Sequence, residues 1–133
     1  MFELEREVPK LKYCQELKEL GYPQDGGGFY WWRFSKEEKF ELSFYINATP
    51  LSFYGGFYKH IEYYKAPTCR ELGEWLKQVA RFSYDGKHWR AYHSKADYNI
   101  YDEFEPNARA KILIWLVKNK YKSFNRRKEE CLN

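Results

Sequence analysis

The chain has 133 residues, of which 44% are hydrophobic and 32% charged, and its formal net charge is +4. This length suits one domain with its own core, and the balance of apolar and charged residues excludes a disordered chain. Aromatic residues make up 21% of the sequence, which is more rings than one small core can bury, so some tyrosines must lie at the surface.

The mild positive charge permits contact with nucleic acid without requiring it. The cysteines, Cys14, Cys69 and Cys131, are odd in number and far apart, unlike those of a secreted disulfide scaffold. The first ten residues include acidic side chains where a signal peptide has a basic start, and the longest apolar run, residues 112–117, is too short to span a membrane. We therefore expect a cytoplasmic protein with reduced thiols and no membrane contact.

In the first half of the chain, apolar residues spaced three and four apart predict a helix over residues 10–20, which Gly21 ends. The sequence FYWWRF at 29–34 is dense in strand formers, and residues 57–64 form a further candidate strand. Residues 40–47 alternate between apolar and polar side chains, which predicts a strand whose apolar face is buried. That apolar face consists of Phe40, Leu42, Phe44 and Ile46.

The second half begins with Thr68 three residues before Glu71, a capping-box spacing that predicts a helix over residues 68–80. Asp85-Gly86 predicts a hairpin turn, and residues 89–93 and 99–104 are expected to be strands. Pro106 suits the first turn of a last helix over residues 106–120. The predicted core of this half consists of Trp75, Leu76, Ile112, Trp115 and Leu116.

These elements predict an α+β fold, with an antiparallel sheet of about five to six strands and three helices packed mainly on one face. Residues 1–121 form a single domain in this interpretation, and residues 122–133 a polar, frayed tail. A weak internal repeat is also visible, because CQELKEL at 14–20 is similar to CRELGEW at 69–75. Each copy precedes a Trp-Arg pair and a Ser-Lys pair, so a repeated helix-strand-strand unit remains one interpretation.

The segments APTCRELGEWL, YDGKHWRAYH and EPNARAKILIWLVKN carry a resemblance to a group of short uncharacterised proteins of phages, prophages and gut bacteria. It covers residues 66–120 best and implies a bacterial or phage origin. The group has no established activity, so the resemblance assigns no functional residue.

The motifs of known catalytic and metal centres are missing from the sequence. His88 and His93 would face opposite sides of one strand, and no zinc-ligand spacing occurs. Cys14 and Cys69 fall in amphipathic helices, where small buried cysteines are common. Gly26-Gly27-Gly28 lacks the lysine and hydroxyl of a P-loop. We therefore predict no metal, no cofactor and no enzymatic activity, although the carboxylate pairs Glu37-Glu38 and Asp102-Glu103 leave a glycosidase-type pair open.

Aromatic and basic residues alternate in the candidate strand 57–64. Residues 57, 59, 61 and 63 form its better core face, so we predict that Tyr58, His60 and Tyr64 face solvent and form a binding surface. Tyrosine is favoured where proteins contact each other and can also stack on bases. Glu62 on the same face disfavours a track for phosphates.

A second candidate surface is basic and lies near the C-terminus. It consists of Lys118, Lys120, Lys122, Arg126, Arg127 and Lys128. Cations also stabilise a helix C-terminus without any ligand. The sequence therefore predicts a non-enzymatic binding module that contacts an unidentified protein partner through tyrosines. The alternative is a weak single-stranded nucleic-acid binder that uses exposed aromatic residues and the basic C-terminal patch.

Overall fold

The computed structural model describes residues 4–54 and 60–124, and within them the fold is α+β, as the sequence predicts. Its helices are α1 (Leu11–Glu19), α2 (Pro50–Tyr54), α3 (Cys69–Leu76) and α4 (Glu105–Lys118), after a 3-10 turn at Leu4–Arg6. Its strands are β1 (Gly28–Arg33), β2 (Glu41–Tyr45), β3 (Glu62–Lys65), β4 (Arg81–Tyr84), β5 (Trp89–His93) and β6 (Tyr98–Asp102). The tail beyond residue 124 lies outside the described residues.

The strands are antiparallel, as predicted, but they divide between two sheets, in the orders β2-β1-β3 and β4-β5-β6. The division falls where β3 runs through Pro67 into α3, so the chain leaves the first sheet before the second begins. Each half therefore begins with a helix and contributes three strands, and in the first half α2 lies between the second and third of them. The central strand of the first sheet is β1, the first of its three strands in the chain, whereas the central strand of the second sheet is β5, the second of its three. The two halves therefore share only the helix-strand-strand unit of the proposed repeat.

Local interactions explain where α3 begins and ends. The Thr68 hydroxyl accepts a hydrogen bond from the Glu71 N–H at 3.3 Å, and the Glu71 carboxylate accepts one from the Thr68 N–H at 3.2 Å. This is the predicted capping box. The helix ends at Leu76, earlier than expected, because Lys77 is extended and Gln78 has a left-handed φ of 65°.

Helix α2 lies between the predicted strands 40–47 and 57–64, in a segment for which the sequence analysis predicts no helix or strand. Thr49 and Ser52 exchange hydrogen bonds between their hydroxyls and backbone N–H groups, at 2.8 and 3.1 Å, and Pro50 occupies the first helical position. This is a capping arrangement with serine in place of the usual glutamate. A threonine followed by proline could have indicated it.

The larger core joins α1, α3 and α4 to the inner face of the second sheet. Leu76, Ile112 and Leu116 are fully buried there, as predicted. Trp75 and Trp115, however, are only partly buried. The Trp115 ring stacks on Tyr98, with ring centroids 4.0 Å apart and an angle of 9° between the planes, so it forms the rim of the core.

The first sheet has an aromatic core of its own, formed by Tyr30, Trp32, Tyr45 and Ile61. Helix α2 covers this face, because its Tyr54 ring lies 5.3 Å from the Trp32 ring. The predicted burial of this segment is wrong toward its end, where Tyr45 is 6% exposed whereas Phe44 and Ile46 on the supposed core face are 58% and 79% exposed. Phe40 and Leu42 on that same face are partly buried, and Leu42 packs against the cluster of Val8, Cys14 and Ala66.

Within the described residues, no helix has both the length and the apolar character that crossing a membrane requires.

Candidate binding surfaces

Two of the three residues predicted to form the tyrosine surface lie within the described part of the chain. Tyr58 lies outside the described residues, and His60 is exposed in a turn that precedes β3. Tyr64 lies within β3 and is half-buried, packed beside Cys14 and Trp31. The alternation used for the prediction requires one continuous strand from residue 57, whereas β3 begins only at Glu62.

Tyr64 is held in a network of charged groups. Its hydroxyl donates a 2.5 Å hydrogen bond to Glu62, whose other carboxylate oxygen accepts a 2.8 Å bond from the Nε of Arg33. Burial, followed by the hydrogen bond to Glu62, raises the pKa of Tyr64 to about 12. The hydrogen bond from Tyr64, against some desolvation and with help from Arg33, lowers the pKa of Glu62. The network fixes Tyr64 to its own sheet and leaves its hydroxyl engaged.

A shallow groove of about 730 Å³ does lie beside His60 and Tyr64. Its charged lining residues are Lys18, Lys36, Glu37 and Glu62. Two cations and two carboxylates give the groove no net charge, and Lys18 also donates to the Tyr63 carbonyl at 2.9 Å. The groove therefore has no electrostatic preference for an anionic ligand such as nucleic acid.

The basic C-terminal patch is weaker than its sequence indicates. Lys118 forms an ion pair with Glu16 of α1, which offsets its charge. Lys120 is exposed after the end of α4, and Lys122 is half-buried. Arg126, Arg127 and Lys128 lie outside the described residues.

The thiols of the described cysteines are poor nucleophiles. Cys14 is buried, and its thiol lies 3.5 Å from the Pro9 carbonyl oxygen that accepts its hydrogen bond. Burial raises the pKa of Cys14, and burial together with the Glu105 carboxylate raises that of Cys69 to about 12. A thiol must ionise to attack. Across residues 4–54 and 60–124, no group of three or more His, Cys, Asp or Glu side chains could hold a metal ion.

The structure reveals a surface that the sequence did not predict, at the outer edge of β2. The Ala66 N–H donates to the Phe29 carbonyl. The backbone hydrogen-bonding groups of Phe29, Trp31 and Arg33 therefore point toward β3, and those of the residues between them point toward β2. Residues 41, 43 and 45 of β2 consequently bond to β1, and the backbone groups of Leu42 and Phe44 point away from the sheet. Their outward N–H and C=O groups have no partner among the described residues.

The opposite edge of the same sheet is partly closed by side chains. Lys18 donates to the Tyr63 carbonyl at 2.9 Å, and the Lys65 N–H donates to the Gln24 side chain at 2.7 Å. These are two of the four outward-pointing backbone groups of β3, since Ala66 points toward β1. Tyr63 is half-buried and Lys65 is buried, whereas Phe44 on β2 is 58% exposed, so the β2 edge is the more open of the two.

A second surface missed by the sequence analysis is the outer face of the second sheet, opposite α4. It consists of Arg81 and Ser83 on β4, Arg90 and Tyr92 on β5, and Asn99 and Tyr101 on β6. Alternation in RFSY, WRAYH and YNIYD could have indicated this face. The intervening residues Phe82, Ala91 and Ile100 are apolar and pack in the core.

No protein-family model, curated protein or solved structure matches this chain. The resemblance of residues 66–120 to short phage and gut-bacterial proteins stays a prediction from the sequence.

Proposed function

We propose that the protein is a non-catalytic binding module that takes up an extended segment of a protein partner as an additional strand beside β2. The observation that supports this most is the contrast between the two edges of the first sheet. At the β3 edge the side chains of Lys18 and Gln24 bond to the Tyr63 carbonyl and the Lys65 N–H. At the β2 edge none of the outward backbone groups of Leu42 and Phe44 has a partner in the described part of the chain.

Strand addition satisfies such an edge, because main-chain hydrogen bonds supply affinity and side chains at alternate positions supply specificity. Phe44 and Ile46 lie two residues apart and are 58% and 79% exposed. On the other side of the edge, Phe53 of α2 is 64% exposed and contacts Tyr45, with ring centroids 5.5 Å apart. A segment with apolar residues at alternate positions therefore fits this edge, which we name the β2 edge.

Natural sheets rarely leave such an edge open, since it invites pairing with other chains. The usual protective devices are charged side chains or proline on the edge. Glu41 at the start of β2 is charged and exposed, but the outward-pointing residues Leu42 and Phe44 carry neither a charge nor proline. Exposed apolar side chains beside free backbone groups support a recognition role in which an incoming strand covers both.

The experiment selects binding peptides from a displayed random library with the purified protein and tests them against Phe44→Pro. Proline at 44 removes an outward N–H and leaves the bonds of residues 43 and 45 to β1 in place. Tyr84→Pro is the matched control, because Tyr84 is an exposed aromatic residue on the edge strand β4. The Asp85 N–H donates to the His88 carbonyl, so the backbone groups of Asp85 point toward β5. Because the direction alternates along an antiparallel strand, the backbone groups of Tyr84 point away from the sheet, as those of Phe44 do.

We expect selected peptides with alternating apolar residues that bind the wild type and Tyr84→Pro but not Phe44→Pro. Phe44→Ala, which keeps the N–H group, should weaken binding less than Phe44→Pro. Selected peptides that bind Phe44→Pro as tightly as the wild type would contradict the proposal, and so would a failure to enrich any peptide.

A further inference from the structure

The outer face of the second sheet combines arginines and tyrosines in a regular order. Arg81 lies directly across from Tyr92, and Arg90 lies directly across from Tyr101. We propose that this face binds single-stranded nucleic acid, with the tyrosine rings stacking on bases and the arginines contacting the neighbouring phosphates. The inference is independent of the β2 edge and concerns the other sheet.

The spacing of the rings suits successive bases. Tyr92 pairs with Asn99, and Tyr101 follows Asn99 by two residues on the same face of β6, so the two tyrosines are diagonal neighbours about 7–8 Å apart. Each arginine lies about 4.5–5.5 Å from its tyrosine at the Cβ positions. A single nucleic-acid strand that crosses the face diagonally would contact one tyrosine ring and one arginine at each of two successive nucleotides.

The face is held ready for contact by its own hydrogen bonds. The Arg90 Nε donates a 2.6 Å hydrogen bond to the Asn99 side chain, and the Arg90 guanidinium lies 4.8 Å from the centre of the Tyr92 ring. This orients one arginine and one ring without neutralising the charge. Preorganised groups lose less entropy when a ligand binds.

The electrostatics of the face favour an anion. Its six side chains include two arginines and no carboxylate. Carboxylates border the face at its ends. In the hairpin loops Asp85 bonds to the backbone of its own turn and Asp97 accepts from the Tyr92 hydroxyl at 3.4 Å, and the exposed Glu103 follows Tyr101 by two residues, just beyond β6. Lys87 and Lys95 lie in the two hairpin loops and offset the carboxylates there. The arginine charges thus remain on the sheet itself.

The face is partly open. Arg81, Ser83 and Tyr101 are exposed, whereas Arg90, Tyr92 and Asn99 are half-buried. The alternate residues Phe82, Ala91 and Ile100 belong to the core cluster that includes α4, on the other side of the sheet. Tyr101 is 54% exposed. An uncovered antiparallel sheet that presents aromatic rings is one of the ways in which proteins bind single strands.

The test measures the affinity of fluorescent oligonucleotides of about 10 nucleotides, of RNA and of DNA, by anisotropy at low salt. Tyr101→Ser and Tyr92→Ser should each weaken binding by about 5-fold to more than 100-fold. Tyr84→Ser is the matched control, because Tyr84 and Tyr101 are 53% and 54% exposed on the same sheet, but Tyr84 lies outside the proposed face. Circular dichroism confirms that each variant is folded.

Salt dependence provides a second readout that loss of structure would not imitate. Each phosphate contact contributes a slope of about −0.7 to log K against log salt for single strands, so Arg81→Gln should reduce the slope by about 0.7. Phe44→Pro should bind oligonucleotides as the wild type does, which separates this site from the β2 edge.

Three results would overturn the inference. The first is a wild-type protein that shows no saturable binding of either oligonucleotide at low salt. The second is a loss of affinity in Tyr84→Ser equal to that in Tyr101→Ser. The third is competition by polyglutamate as effective as that by the oligonucleotide, because the face would then recognise acidic protein segments by charge alone.

Discussion

Substituting Gly27 by alanine should destabilise the protein by bringing a side chain against the backbone of β2. A Cβ atom at Gly27 would lie 2.5 Å from the Asn47 nitrogen and 2.6 Å from the Tyr45 oxygen. Ordinary contacts between such atoms begin near 3.4 Å, so the end of β2 must move by almost 1 Å. Both contacted atoms are backbone, which relaxes poorly. We expect a loss of about 2–3 kcal/mol in the free energy of unfolding, the upper part of the range for overpacking.

Urea denaturation measures this change. With an m-value of about 2 kcal/mol/M, the midpoint of Gly27→Ala should fall by about 1 M or slightly more. Gly73→Ala is the matched control, because the nearest atom to its added Cβ is the Nη1 of Arg109, 3.2 Å away at the end of a flexible side chain. Alanine also favours a helix over glycine by about 1 kcal/mol, so Gly73→Ala should be neutral or stabilising.

The reasoning is refuted if Gly27→Ala has the wild-type midpoint, or if Gly73→Ala falls equally far. The first result would mean that the end of β2 is free to move away from Gly27. The second would mean that any added methyl group destabilises this protein, whatever it contacts. Because Gly27 adjoins the end of the proposed β2 edge, the folded fraction of Gly27→Ala should also bind selected peptides more weakly.

Three further predictions concern other contacts. Thr68→Ala should cost about 1 kcal/mol by removing half of the capping box, and Thr68→Ser should retain most of that stability in the same denaturation assay. Tyr64→Phe should raise the pKa of Glu62 in a carboxyl NMR titration, because the hydrogen bond that contributes most to lowering it is lost. Since the pKa of Glu62 is depressed in the folded state, the stabilisation from this carboxylate is present above the unfolded pKa and disappears as pH falls through the folded value. An unchanged Glu62 titration would contradict the assignment. Trp115→Ala should cost about 3 kcal/mol, the lower end for truncating a large aromatic residue, because the ring is stacked but only partly buried; an unchanged midpoint would show that the stack adds no stability.

Features set by neighbouring residues could be predicted from the sequence. The capping box of Thr68, the hairpin turn at Asp85-Gly86 and the start of the last helix near Pro106 all depend on residues within one turn of each other. The α+β class followed from the same local patterns. Helix α2 was missed although its capping is also local, because serine replaced the expected acidic partner.

Tertiary packing decided which face of each strand is buried. In the second sheet the apolar side chains of each strand do face α4, but only the strand register places the arginines of the outer face beside its tyrosines. In the candidate surface 57–64, both faces of the presumed strand contain tyrosine, so alternation could not say which of them would be covered. Tyr64 bonds to Glu62 only two residues away, but Arg33, which holds the other oxygen of that carboxylate, lies 29 residues from Glu62 in sequence.

Strand β2 shows most clearly why the buried face of a strand could not be predicted from alternation alone. Its sequence alternates in favour of burying Phe44 and Ile46, yet Tyr45 is the buried residue. The choice depends on α2, which folds back over Trp32 and Tyr45, and on α1, which packs against β3 on the opposite face. An aromatic ring is apolar enough to be buried on either face, so the sequence determines that β2 is a strand, and the position of the helices determines which of its faces remains exposed.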